Sequence, residues 1–73
     1  MKVISTTDLS HEGNDCYIYE IVSLIKSGDL YVVLGIKQTI GWYENNEVYT
    51  EGITDDFERA KFLYRFAGGL IYA

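Results

Sequence analysis

The segment DLSHEGND at residues 8–15 contains residue types that can hold a metal ion or transfer protons. A histidine and carboxylates that converge in a loop can coordinate a divalent cation or act as acid and base. The spacing matches neither the twelve-residue calcium loop, with its fixed glycine, nor the helical two-histidine zinc motif. A solvated acidic loop is the simpler interpretation of Asp8, His11, Glu12 and Asp15, so we expect no metal site and no cofactor.

The single cysteine, Cys16, is a candidate nucleophile, with His11 as its base. The sequence contains no signature of a third, orienting group or of an oxyanion site. Gly68-Gly69 follows a predicted helix instead of preceding one, so it does not form a phosphate-binding loop. We therefore interpret Cys16 as a small, packed apolar residue and expect that the protein is not an enzyme.

The length predicts a single domain over residues 1–73. A chain this short buries only about 60% of the surface that its unfolded form exposes, so it needs additional stabilisation. One cysteine and one histidine exclude an internal disulfide and a zinc site with four protein ligands. Because apolar residues make up 48% of the chain, we expect more apolar surface than one core can cover, and hence a homo-oligomer or a partner protein.

The charge and hydropathy of the chain exclude several partner classes. A net charge of −5 argues against direct nucleic-acid binding, which needs clustered Lys and Arg, but suits a basic protein partner. Residues 1–10 lack the apolar run of a signal peptide, and no stretch approaches the roughly 18 apolar residues of a membrane span. With a lone cysteine typical of a reducing compartment, we expect a cytoplasmic protein that does not bind membranes.

Residues 16–26 and 30–38 are rich in tyrosine and β-branched residues and are typical of β-strands. Between them, Gly28-Asp29 suits a two-residue hairpin turn, because glycine supplies the positive φ that its first central position needs. This turn predicts a register that places Glu20 opposite Lys37, an opposite-charge pair. A turn one residue earlier is the alternative.

A second hairpin is expected to follow, with strands at residues 40–43 and 47–51 joined through Asn45-Asn46. Asparagine tolerates the left-handed conformation that such a turn requires. In this register Trp42 pairs with Tyr49. The register also places two glutamates opposite each other, which is unfavourable, so a longer loop is the alternative.

The N-terminal segment predicts a short strand at residues 2–5 and a polar surface loop at residues 6–15. A helix is expected to begin at Thr54 or Asp55 and to end near Ala67. Asp55 and Glu58 have capping-box spacing, and Gly68-Gly69 predicts a left-handed cap. The core stripe of this helix consists of Phe57, Ala60, Leu63, Tyr64 and Ala67, whereas Phe62 and Phe66 lie on roughly the opposite side.

These elements predict an α+β fold: a small antiparallel sheet of three to four strands, in a meander, with one C-terminal helix packed on one face. The sheet has two apolar faces, and one helix covers only one of them. One face carries Ile21, Ile25, Val32, Leu34, Ile36, Ile40 and Trp42; the other carries Ile18, Val22, Leu24, Tyr31, Val33, Tyr43 and Val48. We expect the helix on the first face, with Trp42 packed and Tyr43 exposed.

Charged residues interrupt the second face, which indicates a surface used for contact instead of a second dry core. These residues are Glu20, Lys26 and Lys37. Two interpretations remain open for this face. Either the N-terminal strand and the tail Leu70-Ile71-Tyr72 fold across it, or it forms an intermolecular interface, with Val22 and Val33 from the sheet and Phe62 and Phe66 from the helix as its oligomer-forming residues.

The leading hypothesis for function is a non-enzymatic module that occupies a functional surface of a larger protein with a basic surface. Tyrosine dominates binding hot spots, and acidic residues steer and select the partner. The expected contacts are Glu20, Tyr31, Tyr43, Glu44 and Glu47. In size, acidity and single-domain architecture the chain looks like the small inhibitors encoded by bacteriophages and mobile elements, including those that block host defence such as anti-CRISPR proteins, although no residue motif carries this likeness.

Two alternatives come from other functional classes. A homo-oligomer that sequesters a nucleotide would need cations for the phosphates, and Arg59 or Arg65 would supply them. An accessory subunit that is stable only within a larger complex is the third hypothesis.

Overall fold

The computed structural model describes residues 1–68, which form five β-strands followed by one α-helix. The elements are β1 (Lys2–Asp8), β2 (His11–Gly13), β3 (Cys16–Ser27), β4 (Leu30–Gly41), β5 (Asn45–Thr54) and α1 (Phe57–Ala67). All strand pairs are antiparallel, in the order β1-β3-β4-β5, and β2 pairs with β3 beyond the end of β1. The predicted α+β fold, a meander-like sheet with a C-terminal helix packed against it, is confirmed.

The β3–β4 hairpin has the register that the Gly28-Asp29 turn predicts. Ser27 pairs with Leu30, and Glu20 pairs with Lys37, seven residues farther from the turn on each strand. Gly28 has a φ of +61°, the left-handed conformation that this turn position requires. Local turn chemistry therefore sets the pairing along the full length of both strands.

The second hairpin differs from the prediction. β4 continues to Gly41 and β5 begins at Asn45, so the connection is a longer loop that contains Trp42. Glu47 pairs with Lys37, an opposite-charge pair that the predicted register would have lost. The pairing of Trp42 with Tyr49 was wrong, because Tyr49 lies opposite Gly35.

Residues 6–15 are not the continuous loop that their polar composition predicts. β1 extends to Asp8, and β2 adds a further short segment along the same edge of β3. Between them the Leu9 N–H donates a 2.8 Å hydrogen bond to the Glu20 carbonyl, and the Ser10 hydroxyl accepts one from the Glu20 N–H. Backbone pairing with a long neighbouring strand thus orders a segment whose composition is typical of a loop.

The helix lies where its apolar stripe predicts, but its N-cap is Asp56, one residue after the predicted Asp55. The Asp56 carboxylate accepts hydrogen bonds from the N–H groups of Glu58 and Arg59, at 3.0 and 3.4 Å. At the other end, Gly68 has a φ of −78°, so the predicted left-handed cap is absent at Gly68. The remainder of that prediction, Gly69, lies outside the described residues.

The helix packs on the face opposite to the one predicted. The buried core consists of Val22, Leu24 and Val33 from the sheet with Ala60 and Tyr64 from the helix. Val22 and Val33 have no exposed surface. Their prediction as oligomer-interface residues was therefore wrong, because the helix already covers them.

Two hydroxyl contacts attach the helix to the edge strand. The Tyr64 hydroxyl lies 2.6 Å from Thr7 Oγ1 and 3.1 Å from Ser5 Oγ on β1. Across the sheet, Leu63 lies over Gly52 of β5, where a Cβ would approach the Leu63 side chain too closely. The helix therefore spans the sheet from β1 to β5, and among the described residues nothing covers the opposite face.

Candidate functional site

Two connections meet at one end of the sheet, the β2–β3 turn at residues 14–15 and the β4–β5 loop at residues 42–44. The backbone N–H of Trp42 donates a 3.3 Å hydrogen bond to the backbone carbonyl oxygen of Asp15, and this bond joins the two connections. Asp15 has a φ of +57°, a conformation that aspartate tolerates better than most residues. We call residues 14–15 and 42–44 the distal tip.

The distal tip exposes two aromatic rings. Trp42 is 73% exposed, so the prediction that it packs in the core was wrong, whereas the predicted exposure of Tyr43 is confirmed. The two rings lie in an edge-to-face arrangement, with centroids 4.4 Å apart and an interplanar angle of 65°. Trp42 leaves the core because β4 ends at Gly41, and strand alternation no longer sets its direction.

Four exposed carboxylates lie in the distal tip or on the strands that lead to it. Asp15 and Glu44 belong to the tip, and the neighbouring strands add Glu12 on β2 and Glu47 on β5, all of them exposed. None of the six Lys and Arg residues lies in either tip segment. The tip therefore combines an exposed aromatic pair with acidic residues and has no Lys or Arg of its own.

A polar row crosses the helix-covered face of the sheet just behind the tip. By register, Glu20 on β3, Lys37 on β4 and Glu47 on β5 lie side by side. The Tyr49 hydroxyl donates a 2.8 Å hydrogen bond to Glu20 Oε2. Burial of the ring raises the pKa of the Tyr49 phenol, and the hydrogen bond and negative charge of Glu20 raise this pKa further.

The structure brings together only part of the predicted binding set. Tyr43 and Glu44 share the tip loop, and Glu47 follows on β5. Glu20 lies farther from the tip along β3, and its carboxylate accepts a hydrogen bond from the Tyr49 hydroxyl. Tyr31 lies near the opposite end of the sheet, where it pairs with Thr54.

At that opposite end, Tyr31 packs in a cluster of rings and cations. Its ring centroid lies 5.0 Å from that of Phe57 at the start of the helix. Lys26 Nζ lies 5.7 Å from the Tyr31 centroid, and Lys61 Nζ lies 4.8 Å from the Phe57 centroid. Tyr31 therefore contributes to the attachment of the helix and is remote from the distal tip.

A groove runs between the helix and β1, with a volume of about 230 Å³. Lys61 and Arg65, one helical turn apart, lie along it, whereas Arg59 does not line it. Nearby, Lys2 pairs with Lys26 across β1 and β3, a like-charge pair that destabilises a sheet. The remaining lining residues are Ile4, Ser5, Leu24, Phe57 and Tyr64.

Within residues 1–68 no element covers the sheet face opposite the helix, and we call it the outer face; most of its large side chains are partly or fully exposed, but Ile25 is only 8% exposed. It consists of the alternate positions from Tyr17 to Ser27 on β3 and from Leu30 to Ile40 on β4, with their neighbours on β1 and β5. The rings of Tyr17 and Tyr19 lie 4.5 Å apart on this face. A shallow depression of about 230 Å³ is lined by Tyr19, Ile21, Ile36 and Gln38.

Sequence reasoning missed the outer face because it assigned these positions to the core. One signal in the sequence favours the observed arrangement. Gly35 and Gly52 share the face of Val33, and a glycine on a sheet face provides space for a close contact. Tyr49 fills the space at Gly35, and Leu63 fills it at Gly52.

Phe62 and Phe66 lie on the helix surface away from the sheet, as the wheel predicts, and both are exposed. Their ring centroids are 6.4 Å apart, with an interplanar angle of 22°. Their role as an oligomer interface stays a prediction.

The segment at residues 8–15 does not gather its candidate ligands. Asp8 ends β1, where its carboxylate accepts a 2.8 Å hydrogen bond from the Ser10 N–H. Hydrogen bonds from the Ser10 side chain and backbone lower the pKa of Asp8. Nδ1 of His11 lies 3.1 Å from the Leu9 carbonyl oxygen, and Cys16 is a half-buried free thiol. Within residues 1–68, no group of three or more His, Cys, Asp or Glu side chains is placed to hold a metal ion.

Comparisons with known proteins give no family or neighbour: no family model, curated protein or solved structure matches the chain. In the described part of the chain, the eleven-residue helix is not long and apolar enough to cross a membrane. The tail at residues 70–72, predicted as a possible cover for the sheet, lies outside the described residues.

Proposed function

We propose that this chain is a non-enzymatic protein-binding module that acts in the cytoplasm and docks its distal tip on a basic surface of a larger protein. The observation that carries the proposal is the exposed edge-to-face pair of Trp42 and Tyr43, with the acidic residues Asp15 and Glu44 in the same tip. Occupation of a functional surface by such a tip inhibits the partner. Inhibition of a host protein by a phage- or mobile-element-encoded chain is the biological role that best fits this small acidic protein and its aromatic tip.

The aromatic pair supplies affinity in this proposal. Tryptophan and tyrosine bury a large area at low conformational cost, and a polar group on each ring can bond to the partner. The backbone hydrogen bond from Trp42 to Asp15 restrains the loop before binding, which reduces the entropy lost on association. The rings are therefore suited to act as anchors.

The carboxylates supply partner selection. Glu44 and Asp15 flank the rings, and Glu12 and Glu47 extend the negative surface along the adjacent strands. Exposed charges of one sign accelerate encounter with a basic surface and disfavour an acidic one. Binding through the tip should consequently weaken as salt concentration rises.

Affinity capture from host-cell lysate tests this function, with the wild type, the Tyr43→Ala variant and the Phe62→Ala variant each immobilised. The wild type should retain a specific protein, and the Tyr43→Ala variant should bind that protein at least about 1 kcal/mol more weakly, which is roughly a fivefold loss. Phe62→Ala is the matched control, because Phe62 is also an exposed aromatic residue but lies on the helix. Equal binding by folded Tyr43→Ala and wild type would contradict the role of the tip.

The groove beside β1 favours a second candidate function, the binding of a phosphate-bearing aromatic ligand such as a nucleotide. Lys61 and Arg65 would contact the phosphates, and the rings of Phe57 and Tyr64 would contact the base. The like-charge pair of Lys2 with Lys26 adds positive potential beside this groove.

Calorimetric titration with ATP tests the second candidate. Arg65→Ala should weaken binding at least about tenfold, because it removes a bidentate phosphate donor. Arg59→Ala should have little effect, since Arg59 does not line the groove. An absence of heat with the wild type at millimolar ATP would remove this candidate.

A further inference from the structure

We propose that the outer face is a homodimer interface, on which the same face of a second copy packs sheet against sheet. This inference is independent of the proposed function of the distal tip. The two central strands present no charged residue on this face, from Tyr17 to Ser27 on β3 and from Leu30 to Ile40 on β4. Ile21 and Ile36 pair at its centre and are 45% and 54% exposed.

The charges of this face lie at its edge. Asp8 on β1 and Glu12 on β2 are the neighbours of Ile21 and Tyr17, at the β1–β2 side of the sheet. An apolar centre within a polar rim is the usual anatomy of a protein interface. Monomers rarely expose a contiguous apolar surface larger than a few hundred Å².

The outer face is large enough for a stable dimer. Strands with the observed lengths, at about 3.3 Å per residue and 4.8 Å between strands, give a flat area of roughly 650 Å². Side chains roughen this surface, so its accessible area is larger. Specific complexes bury about 600–1,000 Å² on each partner, and the outer face falls within this range.

The chemistry of the face favours a second copy over a charged partner. The chain has a net charge of −5, but the centre of the outer face is uncharged and offers nothing to a basic protein. An apolar face is complementary to itself, and a two-fold axis brings identical patches together. Sheets that pack in this way interdigitate their side chains at about 10 Å separation, with the helices of both copies on the outside.

Light scattering of the full chain over a dilution series tests the proposal. The wild type should have twice the chain mass of 8.4 kDa. Ile36→Arg places a charge at the centre of the interface and should raise the dimer dissociation constant at least about 100-fold. Phe62→Arg is the comparison variant, because Phe62 has a similar exposure of 55% but lies on the helix, and it should leave the mass unchanged. A folded Phe62→Arg variant that is monomeric would overturn the proposal and place the interface on the helix, as the sequence predicts.

Circular dichroism establishes that each variant is folded, and Ile21→Arg replaces Ile36→Arg if the latter unfolds. A monomeric wild type at every concentration overturns the proposal, as does a folded Ile36→Arg variant that dimerises like the wild type. A wild type that becomes dimeric only after removal of residues 69–73 also overturns it and assigns the face to that segment.

Discussion

The Tyr49 hydroxyl donates a hydrogen bond to Glu20, and the Tyr49 ring passes over Gly35 of the intervening strand to reach it. A Cβ at Gly35 would overlap this ring. One residue without a side chain therefore allows a contact between two strands that are not neighbours. This contact ties β5 to β3 on the helix-covered face of the sheet.

Gly35→Ala should destabilise the fold by about 1–3 kcal/mol, because the added methyl group displaces the Tyr49 ring. Urea unfolding measures this loss. In a Tyr49→Ala background the same substitution should change the free energy of unfolding by less than about 0.5 kcal/mol, since the overlap no longer exists. Equal losses in both backgrounds would show that the ring is not the cause.

Tyr49→Phe should lower the free energy of unfolding near neutral pH by about 1 kcal/mol, because it removes the hydrogen bond to Glu20. Folding raises the pKa of this phenol. Its contribution is therefore fully present below the unfolded pKa of about 10 and is lost as the pH rises toward the higher folded value.

The difference in stability between wild type and Tyr49→Phe should accordingly be constant below about pH 10 and shrink above it. Denaturant unfolding of both proteins between neutral and strongly alkaline pH measures this difference. A constant difference across the alkaline range would contradict the raised pKa of Tyr49.

Asp56→Ala should destabilise the protein by about 1 kcal/mol, because two helix N–H groups lose their acceptor. Asp55→Ala is the matched control and should stay within about 0.5 kcal/mol of the wild type. Thermal unfolding followed by circular dichroism compares them. A larger loss for Asp55→Ala would place the cap at the residue that sequence spacing predicts.

Trp42 is the only tryptophan, so its fluorescence reports directly on the distal tip. Because the indole is largely exposed, its emission should resemble that of tryptophan in water and should be strongly quenched by acrylamide. Addition of the captured partner should shift the emission to shorter wavelength and protect it from quenching. A blue-shifted emission in the free wild type would contradict the exposed position.

The residue pattern alone is sufficient to predict the helix and the register of the β3–β4 hairpin. Gly28-Asp29 favours a particular turn, and the opposite-charge pair of Glu20 and Lys37 agrees with the pairing that this turn imposes. The apolar spacing of the helix also predicts which residues it buries, Ala60 and Tyr64 among them. These features depend on interactions between residues that are close in sequence or directly linked through one turn.

The pairing of residues 6–8 and 11–13 with β3, and the register of the β4–β5 hairpin, depend on strands that are more distant in sequence. Residues 6–8 and 11–13 are polar, but they pair with a long strand already fixed by its own hairpin. The position of β5 placed Glu47 opposite Lys37 and extended the loop at the tip. Composition alone does not contain these pairings, because backbone hydrogen bonds are available to every residue type.

The face of the sheet that the helix covers depends on tertiary packing and does not follow from the residue pattern. Strand alternation separates Val22 and Val33 from Ile21 and Ile36, but both sets are apolar, so hydrophobicity does not choose between them. The choice follows from three-dimensional fit. Gly35 and Gly52 provide space for Tyr49 and Leu63 on one face, and Ser5 and Thr7 meet the Tyr64 hydroxyl there, which leaves the other face open.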